Sequence, residues 1–511
     1  MLARAHTFTT EGLQVRPVTV EVDVRPGLPA FVIVGLADAA VRESRERVRA
    51  AIRNSGYEFP ARRITANLAP ADVPKAGPGL DLALACAVLA ASGQVPPARL
   101  RTHALFGELG LDGEVKAGRG TLAVAQAAHD AGLQTVLVAS SAAHEAVLAE
   151  HVEVAPVQSL SSAARVLRGG RPDRPPPAPA HPADTPRDHA PASGCDLADV
   201  RGQHHAVEAL VVCAAGGHNL LLSGAPGTGK TMLAHRLGSI LPPLSRREAV
   251  EVTHIHSLAG SQPGFLARRR PFRAPHHSTT AAGLIGGASR GWVGEVALAH
   301  RGVLFLDELS EFARAALEAL RQPVEDGRLA IVRARRSQVY ATRFMLVAAT
   351  NPCPCGYAGE SDRCRCSEAD LARHRRRLSG PLLDRMDMLV HLHRQREGDA
   401  ATVLTSSAQA SARVMRARER QLARLARSGL AVNAEMDPRL LREHARLDSR
   451  GEQMLQAACA RGLLSARGQH RVLRVARTIA DLHARERVTA SDLGAALALR
   501  PEAGLHGARS A

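Results

Sequence analysis

The stretch Leu221-Leu222-Ser223-Gly224-Ala225-Pro226-Gly227-Thr228-Gly229-Lys230-Thr231 decides the fold of the chain around it. It reads G-x-x-x-x-G-K-T between an apolar run and a helical pattern, which is the strand–loop–helix context of a phosphate-binding loop and not of a chance glycine-rich turn. The glycines let backbone N–H groups converge on phosphate oxygens, Lys230 reaches the β- and γ-phosphates, and Thr231 ligates Mg²⁺. The predicted nucleotide-binding residues are Gly224, Ala225, Pro226, Gly227, Thr228, Gly229, Lys230 and Thr231. The sequence therefore predicts a site for a nucleoside triphosphate, ATP being the expected one, with Mg²⁺.

Two further apolar patterns end in polar residues that suit phosphate chemistry. Residues 302–306 read as a buried strand and are followed by Asp307 and Glu308. Asp307 is predicted to hold the Mg²⁺ shell, and Glu308 to polarise the water that attacks the γ-phosphate. Residues 344–350 read as the next buried strand and end in Asn351, whose amide resembles the sensor-1 group that orients this water in AAA+ ATPases.

A later segment, residues 378–387, resembles the part of AAA+ proteins that carries the arginine finger. The resemblance implies that Arg385 reaches the γ-phosphate of a neighbouring subunit and stabilises charge in the transition state. Because such a residue has no use in a monomer, it implies a homo-oligomeric ring, expected to be a hexamer.

The sequence Ser465-Ala466-Arg467 opens an amphipathic helical pattern and resembles the sensor-2 segment of a helical lid. Arg467 is the predicted sensor arginine, with Arg471 and Arg474 as alternatives.

The pattern predicts four parts along the chain. Residues 1–167 alternate strand-like and helix-like segments, which indicates an α/β domain. Residues 168–194 are rich in proline, as is typical of an extended linker. Residues 195–395 form the predicted nucleotide-binding core, and residues 396–511 read as helices that form a lid.

Four stretches of the first domain resemble the front of the YifB/ComM family of magnesium-chelatase-like ATPases. They are residues 35–36, 55–60, 67–72 and 107–113. The family relates this domain to the Lon-protease fold (S5 domain 2-like), which works with a Ser–Lys dyad. Aligning residues 75–79 on that pattern puts Gly79 at the nucleophile position, and the lysine position falls between Leu122 and Val124. Since glycine offers no nucleophile, the resemblance implies a catalytically dead relative.

The resemblance covers nearly the whole chain except the linker. It implies a Lon-protease-like domain, an AAA+ P-loop NTPase core and a C-terminal helical lid, which together hydrolyse ATP to work on DNA. In ComM that work is branch migration, a helicase activity that aids recombination of incoming DNA in natural transformation. The alternatives are the ATPase subunit of magnesium chelatase, which generally lacks the front domain, and a nucleotide-gated scaffold that does not translocate. Gly79 argues against an ATP-dependent protease.

Charge points to a polyanionic partner. The formal net charge is +17, with 66 Lys+Arg against 49 Asp+Glu. Aromatic residues make up only 3%, too few for a base-stacking platform, so contact with the DNA backbone fits better. Residues 326–340 read as a β-hairpin whose tip carries Arg333, Arg335 and Arg336, predicted to grip single-stranded or branched DNA. A solvated hairpin face is the alternative.

Cysteine spacing suggests a second metal. Cys353, Cys355, Cys364 and Cys366 form two C-x-C pairs that suit a tetrahedral structural Zn²⁺. These pairs are tighter than the usual C-x₂-C, so free thiols remain the alternative. The adjacent His276 and His277 are not expected to ligate one ion.

Cysteine usage and hydropathy also bear on the compartment. Eight cysteines in 511 residues do not make a disulfide framework, and no apolar run approaches the roughly 18 residues of a membrane span. We expect a cytoplasmic protein without a membrane partner.

Overall fold

A computed structural model describes residues 1–11, 13–177, 195–261, 265–287, 293–333, 336–358, 363–377, 380–394 and 405–500. The chain forms two compact units. The first combines residues 1–177 with residues 245–268, and the second holds most of the remaining described residues. Most of the predicted linker, residues 178–194, lies outside the described residues.

The first unit is an α/β structure, as the sequence predicts. Its strands are β1 (Leu2–Glu11), β2 (Gln14–Arg25), β3 (Ala30–Val34), β4 (Arg63–Ala69), β5 (His103–Phe106), β6 (Glu108–Leu109), β7 (Val115–Lys116), β8 (Thr135–Ala139) and β9 (Glu153–Val157). Its helices before the linker are α1 (Ala39–Asn54), α2 (Asp81–Ala91), α3 (Thr121–Asp130), α4 (Ala143–Val147) and α5 (Leu160–Leu167). The main sheet has the order β3-β4-β2-β1-β5-β8-β9, with antiparallel pairs around β2 and parallel pairs toward both edges.

Hydrophobic patterning explains these elements. In β2 alternate residues from Val18 to Val24 are buried, since successive side chains of a strand point to opposite faces. Helix α2 is apolar on all sides, and every one of its residues is buried. It is therefore a core helix and has no solvent face.

From residue 195 onward the chain is rich in helices. They are α6 (His204–Gly216), α7 (Lys230–Ile240), α8 (Arg246–Leu258), α9 (Ala281–Ile285), α10 (Glu295–Leu298), α11 (Arg314–Ala319), α12 (Arg321–Asp326), α13 (Glu368–Arg377), α14 (Gly380–Leu383), α15 (Ser407–Leu425), α16 (Pro438–His444), α17 (Ser449–Ala460), α18 (Ala466–Leu482) and α19 (Ala490–Ala498). The strands are β10 (Leu220–Gly224), β11 (Phe272–Arg273), β12 (Val303–Leu306), β13 (Arg328–Arg333), β14 (Arg336–Ala341), β15 (Met345–Thr350) and β16 (Met388–Leu392). Among the described helices, none combines the length and the hydropathy that a membrane-spanning segment needs.

The second unit is built on a parallel sheet of order β11-β12-β15-β10-β16. Both faces of this sheet are covered: Leu220 and Leu222 belong to one hydrophobic cluster, and Leu221 to another. Parallel strands bring their carboxyl ends to one edge, where ligands of such sheets bind. The residues that follow β10, β12 and β15 therefore meet at that edge.

Buried polar bonds fix the C-terminal helices to this sheet unit. Gln421 Nε2 on α15 donates to Ala215 O at 3.0 Å, and His218 Nε2 lies 2.8 Å from Thr478 Oγ1 on α18. Gln421, His218 and Thr478 are all fully buried. Helices α6, α15 and α18 thus share one core with β10.

Candidate nucleotide-binding site

The phosphate loop lies between β10, which ends at Gly224, and α7, which begins at Lys230. Gly227 and Gly229 have φ of 78° and 89°, a left-handed conformation that glycine adopts without a steric penalty. The loop therefore leads into a helix N-terminus, where free N–H groups and the helix dipole favour a phosphate. Thr228 Oγ1 donates to Ala225 O at 2.9 Å and closes the turn.

Lys230 and Asn351 meet above this loop. Lys230 Nζ donates to Asn351 Oδ1 at 3.1 Å, and also to the carbonyl oxygens of Gly224 at 2.7 Å and Ala225 at 3.0 Å. Burial lowers the pKa of Lys230, while the charges of Asp307 and Glu308 oppose that shift. The structure thus brings together the cation that would contact phosphate and the amide that would orient the attacking water.

Thr231 and Asp307 meet at the same edge. Thr231 Oγ1 donates to Asp307 Oδ2 at 2.8 Å, which joins the start of α7 to the end of β12. Mg²⁺ prefers hard oxygen ligands and usually keeps several waters besides substrate phosphates. A hydroxyl and a carboxylate at this spacing fit one side of such a shell, so these two residues could hold the ion.

Glu308 follows Asp307 in an unusual conformation. Its φ of 51° is left-handed, which is uncommon for a residue other than glycine, and its N–H donates to Asp307 Oδ1 at 2.9 Å. Its side chain is 59% exposed, and Oε2 lies 3.5 Å from His277 Nδ1. Such backbone conformations cluster at functional sites. From the sequence we considered His277 only as a metal ligand, and no local pattern indicated this contact.

Arg385, the predicted arginine finger, is held by α12 within its own chain. It forms an ion pair with Glu325, and its Nε donates to Arg321 O at 3.1 Å. Only 14% of its side chain is exposed.

The three candidate sensor arginines of α18 differ in their surroundings. Arg467, in the first turn, is exposed. Burial lowers the pKa of Arg471, against the opposing charges of Asp387 and Asp384. Arg474 Nε donates to Met436 O at 2.8 Å. Of the three, Arg467 is therefore the one exposed to solvent.

The basic hairpin forms as a pair of antiparallel strands. Strands β13 and β14 pair with Leu329 opposite Tyr340 and Arg333 opposite Arg336, which confirms the predicted hairpin. Arg335 lies outside the described residues, as do the side chains of Arg333 and Arg336.

The four predicted zinc ligands also come together. Cys353, Cys355, Cys364 and Cys366 place their sulfur atoms within 4.8 Å of one another. Cys353 is buried and the other three are half-buried. A sulfur-only donor set of this kind suits Zn²⁺.

In the first unit, the position aligned with a protease nucleophile is closed. A Cβ atom on Gly79 would come within 2.5 Å of Phe106 Cε2, so a serine would not fit without moving that ring. Leu122 and Val124, which bracket the aligned lysine position, are fully buried.

Three family models match separate parts of the chain. Family models described as magnesium chelatase, subunit ChlI, match residues 196–400 and, for its C-terminal part, residues 404–500. A model described as subunit ChlI of Mg-chelatase matches residues 20–142. An uncharacterized protein of Mycobacterium tuberculosis is 45% identical over 505 residues, which cover 98% of both chains.

Two further relatives are proteins named YifB and ComM. The uncharacterized protein YifB of Escherichia coli is 41% identical over 507 residues, or 98% of this chain and 97% of the relative. The competence protein ComM of Haemophilus influenzae is 38% identical over 507 residues, with the same coverage.

Proposed function

The chain belongs to the YifB/ComM family of magnesium-chelatase-like AAA+ ATPases, and on that premise we propose that it is an ATP-hydrolysing ring motor that acts on DNA. The observation that carries the proposal is the convergence of Lys230 with Asn351 and of Thr231 with Asp307 at one sheet edge. Glu308 stands beside them with an exposed carboxylate. This arrangement supports a site for Mg²⁺ and ATP, the cofactors that the family implies.

Each residue has a role in the proposed reaction. Lys230 neutralises the phosphates, Thr231 and Asp307 hold Mg²⁺, and Asn351 and Glu308 orient and polarise the attacking water. Hydrolysis then converts bound ATP into ADP and phosphate, with Glu308 accepting the proton of the water.

DNA is the proposed substrate of the motor. The formal net charge of +17 favours a polyanion, and the hairpin of β13 and β14 carries arginines toward its turn. One relative is a competence protein by name. We infer that the motor drives branch migration of recombining DNA, as in natural transformation. In this proposal Arg333, Arg335 and Arg336 contact the phosphate backbone of the DNA.

The remaining parts support this motor. We infer a hexameric ring completed by Arg385 from a neighbouring subunit, a helical lid over residues 396–511 that carries Arg467, and a Zn²⁺ bound by the four cysteines. The first domain is proposed to be a Lon-protease-like domain without protease activity, since Gly79 and Phe106 leave no room for a nucleophile. We place the protein in the cytoplasm, where ATP and reduced thiols are both available.

The alternative function is that of a chelatase ATPase subunit, because the matching family models carry that description. DNA-stimulated hydrolysis separates the two functions. The test measures ATPase rates with single-stranded, duplex and branched DNA for the wild type and for Glu308→Gln. We expect branched or single-stranded DNA to raise the wild-type rate. Glu308→Gln should bind ATP and hydrolyse almost none.

A triple variant tests the hairpin. Arg333→Ala with Arg335→Ala and Arg336→Ala should keep basal hydrolysis and lose DNA stimulation. The slope of log affinity against log salt should fall by roughly 0.9 per lost contact on duplex DNA and roughly 0.7 on single strands. The matched control removes three exposed arginines of α1: Arg42, Arg45 and Arg53. Equal effects of the two triple variants, or no DNA stimulation of the wild type, would count against a DNA motor.

A further inference from the structure

The four-cysteine cluster begins two residues after Asn351, and the turn that carries it lies against the phosphate loop. We propose that Cys353, Cys355, Cys364 and Cys366 bind one Zn²⁺ that holds the phosphate loop in its nucleotide-binding form, so that nucleotide affinity depends on zinc. This inference rests on the zinc site of the proposed function but not on DNA as the substrate.

The sulfur positions fit one tetrahedral ion. Cys353 Sγ lies 3.2 Å from Cys355 Sγ and 3.9 Å from Cys364 Sγ, and Cys355 Sγ lies 3.7 Å from Cys364 Sγ. Zn–S bonds of about 2.3 Å in a tetrahedron put the sulfurs roughly 3.8 Å apart. All four residues are free cysteines, so none is committed to a disulfide.

The surroundings suit a thiolate site. The N–H of Ala358 donates to Cys353 Sγ at 3.2 Å, and such donors to the ligand atoms orient and stabilise metal sites. Four thiolates leave a divalent ion with a net negative charge. Arg363 and Arg365 flank Cys364 in the sequence and can offset that charge.

Gly356 connects this site to the phosphate loop. It follows Cys355 with a left-handed φ of 87°, and its N–H donates to Cys353 O at 3.0 Å. A Cβ atom placed on Gly356 would come within 2.5 Å of Pro226 Cδ. The cysteine turn therefore packs backbone against the phosphate loop, and its position limits where Pro226 can lie.

Asn351 gives a second connection. Its Oδ1 accepts from Lys230, and its backbone oxygen lies 2.9 Å from His374 Nε2. His374 is 5% exposed and lies on α13, which begins shortly after Cys366. A metal that joins Cys353 to Cys366 thus ties the chain directly after Asn351 to the segment that leads into α13, whose His374 contacts the backbone oxygen of Asn351.

Little regular structure surrounds the cysteines in the described part of this loop. In the described residues between 353 and 367 there is no helix or strand, and three of the four cysteines are only half-buried. Metal sites of this kind commonly supply the folding energy of the loops that form them. Loss of zinc should therefore free Gly356 and Asn351 together.

The experiment uses the full chain without DNA. Elemental analysis should find about one zinc per chain in the wild type and in Cys459→Ser, a control that removes a thiol from α17, and none in Cys364→Ser with Cys366→Ser. Affinity for a fluorescent ADP analogue should fall about tenfold in that double variant, and equally when a zinc-selective chelator strips the wild type. Added zinc should restore the stripped wild type only.

Gly356→Ala tests the contact with the phosphate loop directly. It should keep its zinc and lose nucleotide affinity, because the new methyl group meets Pro226, and its melting temperature should fall somewhat, because alanine is strained at this left-handed φ. If the double variant does not fold, the chelator series on the folded wild type decides the matter. Iron in place of zinc, or no metal, overturns the inference. Bound zinc whose removal leaves ADP affinity unchanged also overturns it, while the proposed DNA motor stands.

Discussion

The carboxylate of Glu308 has a neighbour that lies far from it in the sequence. His277 Nδ1 is 3.5 Å from Glu308 Oε2, and His277 belongs to the segment between β11 and α9. A carboxylate oxygen engaged by an imidazole is less available to accept a proton from water. We predict that His277→Ala raises basal ATP hydrolysis a few-fold and leaves nucleotide affinity unchanged. Steady-state rates and ADP titrations check this.

His276→Ala is the matched control for that change. The His276 ring lies against His277, but its Nδ1 is 2.8 Å from Ser278 Oγ and does not serve Glu308. The basal rate of ATP hydrolysis of His276→Ala should equal that of the wild type. A lower rate in His277→Ala would instead make His277 a residue that positions Glu308 for the reaction.

Some features of the nucleotide site could be predicted from the sequence alone, and others could not. Lys230, Thr231 and Asp307 belong to short motifs that fix their own backbone, and the structure places them together at one sheet edge. The pairing of Arg385 with Glu325 and the contact of His277 with Glu308 depend on how distant segments pack. A local sequence pattern contains no information about contacts between distant segments, so these contacts could not be predicted from the sequence.

At the scale of elements, α8 lies in the first unit although it follows the phosphate-loop helix α7 in sequence. His254 Nδ1 on α8 is 2.9 Å from Gln126 Oε1 on α3, and Ser257 Oγ donates to the buried Glu145. Leu258 packs against Gly120. The sequence does not predict this partner, because an amphipathic helix face does not specify which surface covers it.

The half-buried His254 predicts a pH dependence. Burial lowers the pKa of His254 from its ordinary value of 6.5. Its neutral form therefore contributes stability above that pH, and the contribution is lost as the pH falls through the lower folded value. The melting-temperature advantage of the wild type over His254→Gln should shrink between about pH 7 and about pH 5.

Gln126→Ala is the control, because it removes the hydrogen-bond partner but leaves the histidine on α8. It should keep the steep pH dependence of the wild type. Parallel curves for the wild type and His254→Gln would show that other groups cause the pH dependence.

A second prediction for the elements concerns the network that joins α15 to α18. Asp481 is 1% exposed and accepts from Arg424 at 2.6 Å, Arg477 at 2.9 Å and Asn433 at 2.8 Å. Removing the carboxylate leaves the buried Arg477 and the half-buried Arg424 without their anion. We predict that Asp481→Ala costs about 3–5 kcal/mol of unfolding free energy, measured by denaturant titration.

The exposed Glu419 on the same helix α15 offers the comparison. Glu419→Ala should stay within about 0.5 kcal/mol of the wild type. A similarly small loss in Asp481→Ala would mean that the network does not hold these helices.

At the scale of the whole molecule, the prediction of a ring depends on Arg385. In the single chain this arginine pairs with Glu325, so it must leave that carboxylate to reach a neighbour's phosphate. The sequence motif predicts a function between subunits, whereas the structure of one chain shows the contact that the side chain makes within it. Mixing subunits with different defects distinguishes a role in trans from a structural role in cis.

The expected outcome follows from which site each defect impairs. Arg385→Ala subunits keep an intact phosphate loop, and Lys230→Ala subunits keep an intact Arg385, so each inactive protein supplies what the other lacks. In an equal mixture, roughly a quarter of the head-to-tail interfaces should pair the good loop with the good arginine and recover hydrolysis. Mixing Lys230→Ala with Glu308→Gln is the control and should recover nothing, because both changes impair a subunit's own pocket. If rings shown to be mixed recover no activity with Arg385→Ala, the arginine acts within its own chain and its pairing with Glu325 is its role.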